Sequence, residues 1–180
     1  CVPTVYHRLA AAAREKLRLR LLFVWTGVFW YNRANDGKGG ENMILVAAVD
    51  DRMGLCFHGK RQSQDKGLRE KILTLFAGKK LWMNEYSAKQ FAKDAGTEAI
   101  HVAEDFLTQA GSGEVCFVEN ISVASAAERV EQVYLFHWNR AYPGDLFFDL
   151  PLEDGWELTL EEEFPGSSHE TITLEVYERA

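Results

Sequence analysis

Val133-Tyr-Leu-Phe-His-Trp138 is too apolar and aromatic for a strand with one face in water, so it predicts a central strand covered on both faces. The strand ends where Pro143-Gly144-Asp145 supplies the fixed φ and the permissive residue of a tight reversal. Beyond it, Trp156-Glu-Leu-Thr-Leu160 and Ile172-Thr-Leu-Glu-Val-Tyr177 alternate polar and apolar residues. That period of two predicts an antiparallel C-terminal hairpin beside the buried strand.

Upstream, Met43-Ile-Leu-Val-Ala-Ala-Val49 is a continuous apolar run closed by Asp50-Asp51, and it predicts a buried first strand. In Ser63 to Gly78, Leu68, Ile72, Leu75 and Phe76 fall on one helical face. Ser63 stands as N-cap, Asp65 in the first turn and Gly78 past the last. Lys80 to Asn84 predicts a second buried strand, and a helix follows that Ser87 can cap. Ile100 to Ala103 predicts a short strand, Glu104 to Leu107 a brief helix, Ala110 to Gly113 a turn, and Val115 to Val118 a further apolar strand.

The first forty-two residues differ from the rest. Leu21 to Tyr31 is apolar and follows Arg14, Lys16, Arg18 and Arg20, but it is too short to span a bilayer. Tyr31 to Asp36 lacks the small-x-small pattern of a secretory cleavage site. Gly39-Gly-Glu-Asn-Met43 back-translates to a purine-rich stretch at ribosome-binding distance from a start codon. The expectation is a native start at Met43, with residues 1–42 upstream sequence in which only Ala, Leu and Arg content favours a helix over Ala10 to Leu22. Residues 43–180 then form one domain.

Composition excludes several function classes. Seven Lys or Arg against three acids in residues 1–42 leave the remainder more acidic than the whole chain's −7, which disfavours nucleic acid as a partner. Cys1, Cys56 and Cys116 form no Cys-x-x-Cys pair, which suits a cytoplasmic location and excludes a disulfide framework. No His-x-His or His-x-x-x-His spacing occurs among His7, His58, His101, His137 and His169, so no metal site is expected. Gly-x-Ser-x-Gly and Gly-x-x-x-x-Gly-Lys are also absent.

The order of a core strand, a Pro-Gly-Asp turn with Phe147-Phe148, Gly155-Trp-Glu-Leu158 and a final Leu174-Glu-Val-Tyr-Glu-Arg179 resembles the C-terminal third of dihydrofolate reductases. The resemblance extends more faintly back to Met43. It implies a three-layer α/β/α domain with a mixed, mostly parallel sheet and an antiparallel C-terminal hairpin. It also implies site positions. Asp65 stands where the family keeps its substrate-binding carboxylate, and Asp51-Arg-Met-Gly54 where it opens a mobile loop over the site. Lys60-Arg61 stands in place of a Pro-Trp pair. The family's Met-Gly-Arg-x-Thr, which holds the cofactor's phosphates at a helix N-terminus, reads Met83-Asn84-Glu85-Tyr86-Ser87 here. Glu85 puts a negative charge where a positive one is needed, a repulsion of about 4 kcal/mol at about 4 Å and an effective dielectric of about 20. The family's Gly-Gly reads Glu119-Asn120, whose side chains obstruct a nicotinamide and diphosphate. Phe136 replaces the Thr whose hydroxyl bonds the family's carboxylate, and His137 beside it is a pocket-lining candidate.

Ligands of such sheets bind at the carboxyl ends of the strands, which gathers Asp65, Asn84, Glu85, Ser87, Glu119, Asn120, Phe136 and His137 as site candidates. The reading is a diverged relative that binds a small molecule or a protein partner and lacks NADPH-dependent reduction. The alternative is a reductase of dihydrofolate or a related pteridine, with NADPH as cofactor and Asp65 as acid. The Met43 domain is also similar to short bacterial chains labelled ribonuclease Z. That chemistry needs a His-x-His-x-Asp-His metal motif, which this chain lacks.

Overall fold

The computed structural model describes residues 42–94 and 96–180. The expectations for the upstream segment, its helix and the start at Met43 fall on residues 1–41 and lie outside the described residues.

Strand β1 (Met43–Val49) is buried at every position. It is followed by β2 (Gly54–Phe57) and β3 (Lys60–Arg61), then helix α1 (Lys66–Leu75), β4 (Leu81–Met83) and α2 (Glu85–Phe91). Next come β5 (Ile100–Val102), α3 (Phe106–Gln109) and β6 (Val115–Val118). The chain closes with β7 (Val130–His137), β8 (Leu146–Phe147), β9 (Trp156–Phe164) and β10 (Ile172–Arg179). Seven strands form the main sheet in the order β5-β4-β6-β1-β7-β10-β9. The pairs from β5 to β7 are parallel, and β10 runs antiparallel to both β7 and β9.

The buried run beginning at Val133 therefore is a central strand, flanked by β1 and β10. Its alternation decides the core. Tyr134, Phe136 and Trp138 share one face with Ile44, Val46, Phe117, Leu174 and Val176, against Leu68, Ile72 and Phe76 on the α1 side and Phe91 of α2. The alternate residues Met43, Leu45, Ala47, Val49, Val133 and Leu135 are just as inaccessible, so the sheet is covered on both faces. Cys56 and Cys116 are free and buried, and burial pushes the Cys116 thiol up to about 12.

Three local expectations are corrected. Ser63 is not the cap of α1: Asp65 is, its carboxylate accepting from Leu68 N at 3.1 Å. Ser87 does not cap α2: Asn84 does, its Oδ1 accepting from Ser87 N at 3.0 Å. In both cases another residue with cap chemistry stands where the chain enters the helix. The mobile loop expected to open at Asp51 to Gly54 and to carry Lys60-Arg61 is instead, from Gly54 onward, a hairpin of β2 and β3, and with β8 it makes a second, three-stranded sheet. His58 and Gly59 both take positive φ at its turn, as a two-residue hairpin connection requires.

The β9–β10 connection folds back on the start of α1. Ser167 N and Ser168 N donate to the Asp65 carboxylate at 2.9 and 2.7 Å, and Lys66 N donates to Ser167 Oγ at 2.8 Å. Gly166 is needed for this approach, because a Cβ there would lie 2.6 Å from Asp65 Oδ2 and 2.8 Å from His169 O. Gly166→Ala is expected to cost about 1–3 kcal/mol through forced displacement of the loop. A urea denaturation midpoint equal to that of the unmodified chain would show that the loop does not sit on the helix.

Candidate functional site

In the sheet, β4, β5 and β6 lie on one side of β1 and β7 on the other, so the crevice outside an open α/β sheet falls at the carboxyl end of β1. Asp50, directly after β1, is fully buried there. Its carboxylate accepts from Arg52 N at 2.9 Å, Gly54 N at 2.7 Å and Tyr142 N at 2.9 Å, tying the first turn to the segment after β7.

On one side of this crevice the ends of β4 and β6 carry four of the candidates together. Asn84 Nδ2 donates to Asn120 Oδ1 at 2.8 Å. Glu119 is buried, with Arg61 Nε 3.4 Å from its Oε1, and burial raises its pKa more than Arg61, Ser87 and Gln90 lower it. Arg61 Nε, Ser87 Oγ, Gln90 Nε2 and Glu119 Oε2 face this cluster without a well-formed hydrogen bond among the described residues. Arg61 is anchored otherwise: its guanidinium sits 4.5 Å over the Tyr86 ring and donates to Tyr86 O at 2.7 Å. The β3 end of the hairpin thus inserts a cation between the first turn of α2 and the end of β6. Glu85 is not part of this group. Its side chain is 71% exposed and pairs with Lys89 at 3.4 Å.

Asp65 is enclosed. Burial alone would raise its pKa, but backbone N–H groups of Ser167 and Ser168, the His169 side chain and Leu68 N outweigh that and hold it well below the usual carboxylate range. Ser168 Oγ adds a bond at 2.9 Å and His169 N one at 3.2 Å. The His169 ring lies on Trp138, with centroids 4.6 Å apart, and its Nε2 meets Tyr142 Oη at 3.0 Å.

Phe136 and His137 do not share a site, because neighbours on a strand point to opposite faces. Phe136 is buried in the core and packs edge-on against Phe164. His137 Nε2 lies 3.0 Å from the buried Glu175, which also accepts from Tyr177 Oη at 2.8 Å.

Sequence reasoning named Asp65, Asn84, Ser87, Glu119 and Asn120. It missed Arg61 as the partner of Glu119 and His169 as the partner of Asp65, since each pair joins segments far apart in the chain. Among the described residues no group of three or more His, Cys, Asp or Glu could hold a metal ion. No helix of the described residues is long and apolar enough to cross a membrane.

No family model matches the chain, and no curated protein matches it. A solved structure does. The dihydrofolate reductase from Enterococcus faecalis, complexed with NADP(H) and RAB-propyl, matches with a TM-score of 0.54, covering 78% of this chain and 97% of that chain at 16% identity. The fold is that of dihydrofolate reductase. Identity this low carries the architecture and leaves the chemistry to the residues present. Two polar clusters stand out in this chain's version of the fold, the Arg61–Glu119 pair and the Asp65 clasp. The match lends no support to a ribonuclease Z activity.

Proposed function

We propose that this chain is a small-molecule-binding protein on the dihydrofolate reductase fold that does not carry out NADPH-dependent reduction of dihydrofolate. The observation that carries the reading is the state of Asp65. A reductase acid must present a carboxyl to its substrate, whereas this carboxylate is fully buried and spends its acceptor capacity on Leu68, Ser167, Ser168 and His169. A group held ionised by so many donors is a poor source of a proton.

The cofactor side supports the same reading. Where the resemblance implies two glycines, the side chains of Glu119 and Asn120 occupy the end of β6, and Arg61 is committed to Glu119 and Tyr86. A diphosphate there would meet a buried carboxylate instead of open backbone N–H groups. NADPH, and a bound pteridine reduced by it, belong to the alternative reading, which would require both clusters to open. A protein partner is the second reading, and the exposed Phe57 and Phe147 on the neighbouring strands β2 and β8 are the apolar side chains it would cover.

The test is a titration of the purified full chain with NADPH, following its tryptophan fluorescence, to which Trp82 and Trp138 contribute. Unsaturable, linear quenching is the expected result, together with no dihydrofolate-dependent oxidation of NADPH. Saturable quenching with turnover would replace this proposal by the reductase reading.

A further inference from the structure

We propose that Ser63, His169 and Asp65 form an acyl-transfer centre in which Ser63 is the nucleophile, and that it accepts activated esters. This goes beyond ligand binding in the crevice and needs no cofactor. Ser63 Oγ lies 3.3 Å from His169 Nε2, and His169 Nδ1 lies 3.2 Å from Asp65 Oδ2. These are the nucleophile-to-base and base-to-orienter contacts of a hydroxyl activated by imidazole, slightly long as expected without substrate. Three further features make the arrangement more than a coincidence of polar groups. Asp65 has no exposed side-chain surface and His169 only 6%, so the base and its orienter are shielded from water. Trp138 stacks on the imidazole and fixes its plane. Ser63 stays partly exposed, so an incoming acyl group can reach it.

The tautomer follows from the same contacts. An ionised Asp65 only accepts, so His169 carries its proton on Nδ1 and presents a lone pair on Nε2. Two hydroxyls compete for that lone pair, Ser63 at 3.3 Å and Tyr142 at 3.0 Å. Only one can donate at a time. Both residues are partly buried, but Tyr142 also packs against the core, so Ser63 is assigned as the alkoxide precursor.

The step balances without any redox partner. As Ser63 Oγ bonds to the acyl carbon, its proton passes to Nε2 and the carbonyl π pair moves onto oxygen. The pair returns, the bond to the leaving phenol breaks, and the phenolate takes the proton from Nε2. Water repeats the sequence on the acyl-serine, releasing the carboxylic acid and restoring Ser63. No Gly-x-Ser-x-Gly elbow announces this serine, because the three residues come from the α1 entry and the β9–β10 loop.

The experiment treats the full chain with an alkyl fluorophosphonate and, separately, with p-nitrophenyl acetate. A single phosphonyl adduct mapped by tandem mass spectrometry to Ser63 is expected, with an initial burst of p-nitrophenol. Ser63→Ala, a substitution at a partly exposed position, should abolish the adduct and slow release at least about 100-fold, with an unchanged circular dichroism spectrum. Tyr142→Phe, which removes the competing hydroxyl, should label at least as fast as the unmodified chain. An adduct on Tyr142, no adduct above that of heat-denatured protein, or equal release by Ser63→Ala would each overturn the proposal. None of these results depends on whether NADPH binds.

Discussion

Asp65→Ala is expected to lower the unfolding free energy by roughly 3–5 kcal/mol, far more than the ~1 kcal/mol of an ordinary exposed N-cap. The reason is what the carboxylate leaves behind. Without it, the buried Leu68 N at the head of α1 and the part-buried N–H groups of Ser167, Ser168 and His169 lose their shared acceptor. The charge also gives the effect a pH signature. Because the folded-state pKa of Asp65 lies below its unfolded value, its contribution is complete above the ordinary carboxylate pKa. It is lost progressively as pH falls toward the folded value. Glu114 behaves in the same direction. Burial raises its pKa, but Gly111 N, Lys80 and Trp82 together bring it down to about 2. Guanidinium denaturation of the unmodified chain should therefore show stability falling from about pH 4 downward, and Asp65→Ala should flatten that slope. A loss under about 1 kcal/mol would mean that the loop does not clasp the helix in solution.

Glu119→Ala is expected to cost roughly 3 kcal/mol, the toll of leaving the Arg61 guanidinium largely enclosed with no counter-charge. The double replacement Arg61→Met with Glu119→Leu should recover much of that loss, because apolar groups of similar size need no desolvation of ions. Recovery is expected to be incomplete, since Arg61 also stacks on Tyr86 and bonds its carbonyl. The pH dependence runs opposite to that of Asp65. Burial lifts the folded pKa of Glu119 above its unfolded value, so its favourable contribution is complete below the unfolded pKa and is lost as pH rises through the folded one. A thermal-denaturation cycle over the four proteins measures the coupling directly. Additive single effects would show that the two side chains do not meet.

The parts of this chain that were legible in advance are those governed by local pattern. The continuous apolar run of β1, the half-turn alternation of β9 and β10, and the apolar stripe of α1 each follow from periods of two or 3.6 residues. What escaped is what distance in the chain conceals. Asp65 and His169 were each visible as titratable residues, but nothing local says that a loop about a hundred residues later closes on the helix start. Arg61 read only as part of a Lys-Arg pair in place of Pro-Trp, because its counter-charge, Glu119, belongs to another strand end. The two cap positions were misplaced for a different reason. Ser63 and Ser87 have cap chemistry, but Asp65 and Asn84 have it too, and a shift of two or three residues is settled by where the chain enters the helix. One miss was avoidable. Phe136 and His137 are consecutive on a strand, so a period of two already assigned them to opposite faces.

The position of β10 has a consequence for how the molecule comes into being on the ribosome. Residues 172–179 are threaded between β7 and β9, so the seven-stranded layer has a gap until that segment has emerged. The loop just before it also carries the groups that fasten α1. Nascent chains lacking this stretch would present the open edge of β7 and an unfastened helix to chaperones, and completion would be a late, concerted event rather than a gradual accretion from the amino terminus.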